Sequence, residues 1–199
     1  MHPPPREYRV GGKRVPAYPA EMPDPSLDFR VAMGQLPTGV TVVTTLDGER
    51  PLGITINALA SVSLEPPMLT VAIDRGRFIV PSIDAAGRFA VNILDEAQQD
   101  LSDCFAGSDV TPGRDAFCGA PWHPGETGLP VLDGAIASLE CTTEQRVPVG
   151  DHCLYIARVD ASAIADPGAH PLLYHRRRYL RIERSTTATV AGKPESPAG

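Results

Sequence analysis

Between residues 40 and 182 the chain is a succession of short β-branched and apolar runs, each closed by a break containing Gly, Pro or Asp. Residues 40–45 form the first run, 53–64 the second and 68–73 a buried third. In the second, alternation sets Thr55, Asn57, Ser61 and Ser63 on one face, and Ile54, Ile56, Ala58 and Ala60 on the other. Residues 88–94 alternate as a fourth strand, and further strands are expected at 138–147, 152–163 and 172–182. Helical spacing is rarer. Asp24-Pro25-Ser26 offers helix-start chemistry, followed by Phe29, Ala32, Met33 and Leu36 at helical intervals. A short helix is expected to end near Gly87. Another, capped by Asp95, carries Ala97, Leu101, Cys104 and Phe105 and stops at Gly107.

Strands outnumber helices, and few connections have the length of a parallel crossover. The pattern predicts a mainly β protein, an antiparallel barrel with a few peripheral α-helices. A long loop at 108–130 holds the single tryptophan, Trp122. Residues 1–25 are rich in proline and mixed charge and read as an extended arm. Residues 185–199 have the composition of a disordered tail, which leaves 26–184 as the core domain.

A hydrophobic content of 42% over 199 residues is enough for one sizeable core. The formal net charge of −6 argues against a nucleic-acid partner. No apolar run approaches the roughly 18 residues that span a bilayer, and the first residues have no signal-peptide apolar region, so a cytoplasmic, membrane-free protein is expected. Cys104, Cys118, Cys141 and Cys153 include no close pair of the kind that holds a metal. Disulfides are not expected in that setting, and Cys141 and Cys153 read as small buried hydrophobes.

No glycine-rich nucleotide loop, nucleophile elbow or recognised triad order is present. Four features carry candidate chemistry. The polar strand end at Thr55, Asn57 and Ala58 suits the edge of a flat heteroaromatic ligand, and equally suits a solvent-facing strand edge. Asp74-Arg75-Gly76-Arg77 fits a phosphate, or a solvated turn. In Gly150-Asp151-His152 an aspartate stands ready to orient an imidazole toward a cofactor or hydride donor, or the histidine is simply structural. The run from Tyr174 to Tyr179 encloses three arginines, fit either to hold a dinucleotide or to discourage edge-to-edge pairing.

Taken in order, FRVAMGQLPTGVTVVTT, GITINALASVSLEPP, AGRFAVNIL, QQDLSDCFAG, LPVLDGAIASLECT, GDH and PLLYHRRRY resemble the flavin reductase-like family, reductase components of two-component flavin monooxygenases. The resemblance implies a homodimeric Greek-key split barrel that binds FMN or FAD. It implies hydride transfer from NADH or NADPH and delivery of reduced flavin to a partner monooxygenase. The other use of such a barrel is to hold flavin as a fixed electron-transfer group. On this resemblance Gly53, Thr55, Asn57 and Ala58 line the isoalloxazine, and Phe89 and Ala90 adjoin it. Asp74, Arg75, Arg77 and Ile79 lie on the phosphate loop. His152 lies near the nicotinamide as the catalytic candidate, and Arg176 and Tyr179 help hold the pyridine nucleotide. Three positions depart from the family pattern: Ala58 and Ile79 stand where hydroxyl residues are usual, and Arg177 where glycine is usual.

Overall fold

The computed structural model describes residues 8–10, 13–15, 26–107, 117–165 and 168–182. Residues 1–36 and 37–199 form two units. In the first, strand β1 (Tyr8–Val10) pairs antiparallel with β2 (Lys13–Val15), Tyr8 opposite Val15. Helix α1 (Ser26–Met33) starts where the Asp-Pro-Ser signal places it. The rest of the arm and the tail 185–199 lie outside the described residues.

The second unit runs β3 (Thr38–Gly39), β4 (Thr41–Asp47), β5 (Arg50–Ile56), β6 (Leu59–Leu64), β7 (Pro67–Asp74), α2 (Val80–Ala86), β8 (Arg88–Ile93), α3 (Gln99–Ala106), β9 (Trp122–Pro124), β10 (Pro130–Leu132), β11 (Ala137–Val149), β12 (His152–Ile164), β13 (Leu173–His175) and β14 (Arg178–Leu180). Seven strands form one antiparallel sheet in the order β5-β4-β8-β11-β12-β7-β6. The expected mainly β, antiparallel architecture is what the chain adopts.

The second expected strand is in fact two. β5 and β6 stand at opposite ends of the sheet order, yet only Asn57 and Ala58 separate them. At this break the chain steps from one edge to the other, and the Ala72 amide donates to the Ala58 carbonyl at 3.0 Å, so the sheet curls into a barrel. A register shift between Ser61 and Ser63 then rotates β6. The four polar residues therefore share no common face: Thr55 and Asn57 line one cavity, Ser61 and Ser63 another.

Strand β4 is buried on both faces, which accounts for its unbroken β-branched run. Val43 points into the barrel core with Ile54, Val71, Phe89 and Tyr155, while Val42 joins an outer cluster with Val40, Phe105, Phe117 and Leu172. α2 ends as expected, with left-handed Gly87 (φ 64°) donating its amide to the Ile83 carbonyl. α3 begins at Gln99, later than expected, because Asp95 is used in a turn ahead of it. Its Oδ1 accepts the Ala97 amide at 2.8 Å, and its carbonyl accepts the Gln98 amide at 2.9 Å.

Cys141 and Cys153 are buried in strands as expected. The expectation of no disulfide is overturned: Cys104 of α3 and Cys118 are bonded. They lie 14 positions apart in sequence, Cys104 on α3 and Cys118 in the described segment that begins at Phe117.

Burial pushes the Cys141 thiol up to about 12, with Asp160 and Glu140 adding to the effect. Burial likewise pushes the Tyr155 phenol up to about 12, and its bond to Asp84 adds to that. Both groups hold their protons more tightly folded than unfolded. The stability they confer is complete below about pH 9 and is lost as pH rises toward 12. The thermal midpoint is expected to fall steadily across that alkaline range, and Cys141→Ala to fall less steeply in its lower half. An unchanged slope in that variant would remove Cys141 from the cause.

Candidate functional site

Helix α3 lies over the outer face of β5. Gly53 allows the close approach: a Cβ there would stand 2.5 Å from Phe105 Cε1. Leu101 and Phe105, one turn apart, face the apolar cluster, which turns Ser102, Asp103 and Ala106 toward the end of β5. There they meet the β13–β14 hairpin. A cavity of about 340 Å³ opens between them, lined by Val40, Thr55, Ile56, Asn57, Ser102, Asp103, Ala106, Tyr174, Arg177 and Tyr179.

One hydrogen-bond chain binds these three elements. Thr55 Oγ1 donates to the Ser102 carbonyl at 2.8 Å. The Ser102 hydroxyl, fully buried, lies 2.9 Å from the Tyr179 hydroxyl. Tyr179 donates to Asp103 Oδ1 at 2.8 Å, and its ring packs edge-on against Tyr174 with centroids 5.4 Å apart. Burial raises the Tyr179 phenol above its ordinary range. The Ser102 bond offsets part of this and the Asp103 carboxylate adds to it, so at neutral pH Tyr179 is a proton-bearing donor.

Arg176 and Arg177 form the two-residue turn of the hairpin, both left-handed at φ 50° and 63°. This geometry normally selects Asn-Gly. Arg177→Gly is therefore expected to raise stability by about 1 kcal/mol, read as a higher midpoint in urea. A lower midpoint would show that the guanidinium makes contacts worth more than the backbone strain.

A second group of expected residues lies at the same end of the barrel. His152 stands opposite Asp74 in the β12–β7 ladder, two residues along β7 from the Ala58–Ala72 bond. The Asp74 loop is tightly wound: Asp74 Oδ1 accepts the Gly76 amide at 2.8 Å, and the Arg75 amide donates to the Asp151 carbonyl at 2.9 Å. Asp151 Oδ1 is 2.7 Å from His152 Nδ1. That bond chiefly, with smaller help from Arg75, holds the Asp151 carboxyl below its usual range. The half-exposed imidazole is thereby oriented through Nδ1.

Thr55, Asn57 and Tyr179 share the cavity, with Ala58 exposed beside it. Asp74, Arg75, Arg77 and His152 form the second group, outside the cavity lining. Arg176 lies in the hairpin turn, while its neighbour Arg177 lines the cavity. Ile79, Phe89 and Ala90 have 0% exposure, and Gly53 is covered by Phe105. Their side-chain positions are therefore part of the core, and what these four present toward the cavity end of the barrel is backbone. Ser102 and Asp103 were not anticipated. Their signal is the i, i+4 row of Ser102 and Ala106 beside that of Leu101 and Phe105, legible once α3 is placed.

A larger groove of about 590 Å³ beside β6 holds Ser61, Ser63 and Met68 with the carboxylates Glu126 and Asp160. Two negative charges make it the poorer receptor for a phosphorylated ligand. The smaller cavity offers an amide, two phenols, a guanidinium and an apolar floor, and its one carboxylate, Asp103, accepts from Tyr179 and is offset by Arg177, a set that fits a flat heteroaromatic with a polar edge and an anionic tail. Nearby, on β3, the Thr38 hydroxyl is buried without a hydrogen-bond partner among the described residues.

Known proteins share this architecture. Over 156 residues the chain is 43% identical to the NADH-dependent FMN reductase AsuE2 of Streptomyces nodosus subsp. asukaensis, covering 78% of this chain and 84% of that protein. It is 35% identical over 160 residues to HsaB, a flavin-dependent monooxygenase reductase subunit of Mycobacterium tuberculosis, covering 80% and 83%. The solved structure of the NADH:FAD oxidoreductase SgcE6 of Streptomyces globisporus superposes with a TM-score of 0.75 at 33% identity, covering 84% of this chain and 100% of that one. The flavin reductase like domain matches residues 33–183. With barrel, cavity and sequence in agreement, the chain belongs to the flavin reductase-like family.

Proposed function

We propose that this chain is an NAD(P)H:flavin oxidoreductase that reduces FMN or FAD and passes the reduced flavin to a partner monooxygenase. The observation that carries the reading is the Thr55–Ser102–Tyr179–Asp103 chain around a cavity whose donor set fits a flavin, in a family whose named members include NADH-dependent FMN and FAD reductases. Bound together, nicotinamide and flavin supply a two-electron hydride exchange that needs no acid or base from the protein.

The chain's task is to hold the rings and order their surroundings. On this reading the Asn57 amide and the Tyr179 phenol, both in the cavity lining, meet the polar edge of the isoalloxazine. Arg177 meets an anionic tail, and Arg75 and Arg77 supply positive charge at the neighbouring loop. His152, fixed by Asp151, orients the nicotinamide end and acts as a positioning residue.

Exposed Val62 and Leu64 on edge strand β6, with Ile164 on β12, support a homodimer buried over this face. No helix among the described residues is long and apolar enough to cross a membrane. A cytoplasmic site suits the reading, since both reactants are available there.

The test is to mix the purified protein with NADH or NADPH and excess FMN or FAD and follow nicotinamide absorbance. Many turnovers of added flavin are expected, with His152→Ala several-fold slower and still folded. A protein that holds flavin without turning over, or binds none, overturns the proposal. Unchanged kinetics in His152→Ala removes His152 from the site.

A further inference from the structure

The cavity wall supplied by α3 is only as firm as α3 itself, and this helix holds itself weakly. It has eight residues and no side-chain cap at its start, and isolated helices of that length are unstable in water. Besides Leu101 in the apolar cluster, two contacts at its C-terminal end fix it. Phe105 packs over Gly53 and edge-on against Phe117 at 5.5 Å. The neighbouring residue, Cys104, is bonded to Cys118 beside Phe117. The segment gripped by this bond is under backbone strain: Cys118 is left-handed at φ 59° and is followed by Gly119 at φ 62°. A non-glycine residue keeps that conformation only where its surroundings impose it. Once the bond opens, Cys118 can relax, Phe117 moves with it, and Phe105 loses its cover.

We infer that Cys104 and Cys118 are a reversible redox modification site whose disulfide form orders the α3 wall of the cavity and whose dithiol form loosens it. This inference rests on the flavin-reductase reading for its consequence and for the source of its oxidant, while the opening step stands without it. In reducing compartments a disulfide is typically a sensor or catalytic device rather than a permanent staple. Opening takes two electrons and two protons from a dithiol. Its thiolate attacks one sulfur, the S–S bond breaks and the departing cysteine takes a proton. The second thiol of the reductant then displaces the other cysteine, leaving the reductant as a disulfide. Closing is driven by hydrogen peroxide, the product of reduced flavin meeting oxygen. One cysteine thiolate attacks peroxide, breaking the O–O bond and releasing hydroxide, to give a sulfenic acid; the other thiol then attacks that sulfur, forming the S–S bond as the S–O bond breaks and water leaves. Uncoupled turnover thus generates the oxidant that closes the pair.

The full chain, air-oxidised or treated with dithiothreitol under native conditions, decides the matter by three measurements. Alkylation mass spectrometry is expected to find Cys104 and Cys118 blocked in the first state and labelled in the second, with peroxide restoring the first. Amide exchange in residues 99–106 is expected to speed at least tenfold on reduction. The FMN dissociation constant is expected to rise at least fivefold. The double variant Cys104→Ser/Cys118→Ser should match the reduced protein and ignore dithiothreitol, while Cys141→Ala should keep the response. A bond that stays closed under dithiothreitol, or unchanged α3 exchange after it opens, overturns the inference. If FMN binds in neither state, the flavin reading fails, and the labelling and exchange measurements still decide the redox site.

Discussion

Glu140→Ala is expected to cost about 3 kcal/mol of stability, because a whole turn is wound around this one carboxylate. Glu140 lies on β11 opposite Ala90 and Ala161, with 4% exposure. Its Oε2 accepts the Thr127 amide at 2.9 Å, the Thr127 hydroxyl at 2.5 Å and, at longer range, the Leu129 amide at 3.4 Å. Arg88 secures the same turn from the other side by donating to the Thr127 carbonyl at 2.8 Å. Gly125 presses its bare Cα against the carboxylate, and any Cβ there would collide with it. Alanine leaves donors unpaired inside the fold and a void where the side chain was. Glu140→Gln keeps one acceptor and should lose roughly 1 kcal/mol. Urea titration of the three proteins checks the order, and a Glu140→Ala midpoint equal to wild type would show that water replaces the carboxylate without loss.

The next largest effect is expected at Gly53. The methyl of alanine would stand 2.5 Å from Cε1 and 2.9 Å from Cδ1 of Phe105. That ring is fully buried and braced by Phe117, so it cannot swing aside. Gly53→Ala should therefore push α3 away from β5 at a cost of about 2 kcal/mol, and Gly53→Val at the upper end of the 1–3 kcal/mol range of overpacked cores. Because Ser102 and Asp103 ride on α3, flavin affinity should fall along with stability. The variant Gly53→Ala/Phe105→Leu separates the causes. If the clash is responsible, the double variant is more stable than the sum of its parts allows; simple additivity would place the damage elsewhere.

Much of this was legible in the chain because β-branched runs and breaks at Gly, Pro and Asp record strand pairing locally. β4, β7, β8, β11 and β12 fall close to where alternation puts them. The break at Asn57–Ala58 was not legible, since alternation continues through it and only the closure of the barrel demands a step there. The same non-local logic hides the Cys104–Cys118 bond, whose partners no spacing rule connects. Ile79, Phe89 and Ala90 show the converse. They belong to runs that resemble site segments, yet burial inside the barrel is settled by neighbours distant in sequence. Tyr179 was legible as a candidate, but its engagement with Ser102 and Asp103 depends on a helix and a hairpin more than seventy residues apart meeting in space.

The Asn57–Ala58 step also bears on how the molecule assembles. β4 with β5, β6 with β7 and β11 with β12 are hairpins that can form early from nearby residues. The pairings of β4 with β8, β8 with β11 and β12 with β7 join distant stretches and pay the entropy of long loops. Because the two edge strands are consecutive in sequence, the final closure of the cylinder is already tethered and costs little extra. The residues that mark the mouth of the cavity thus also serve as the latch that lets a sheet of high contact order close on itself.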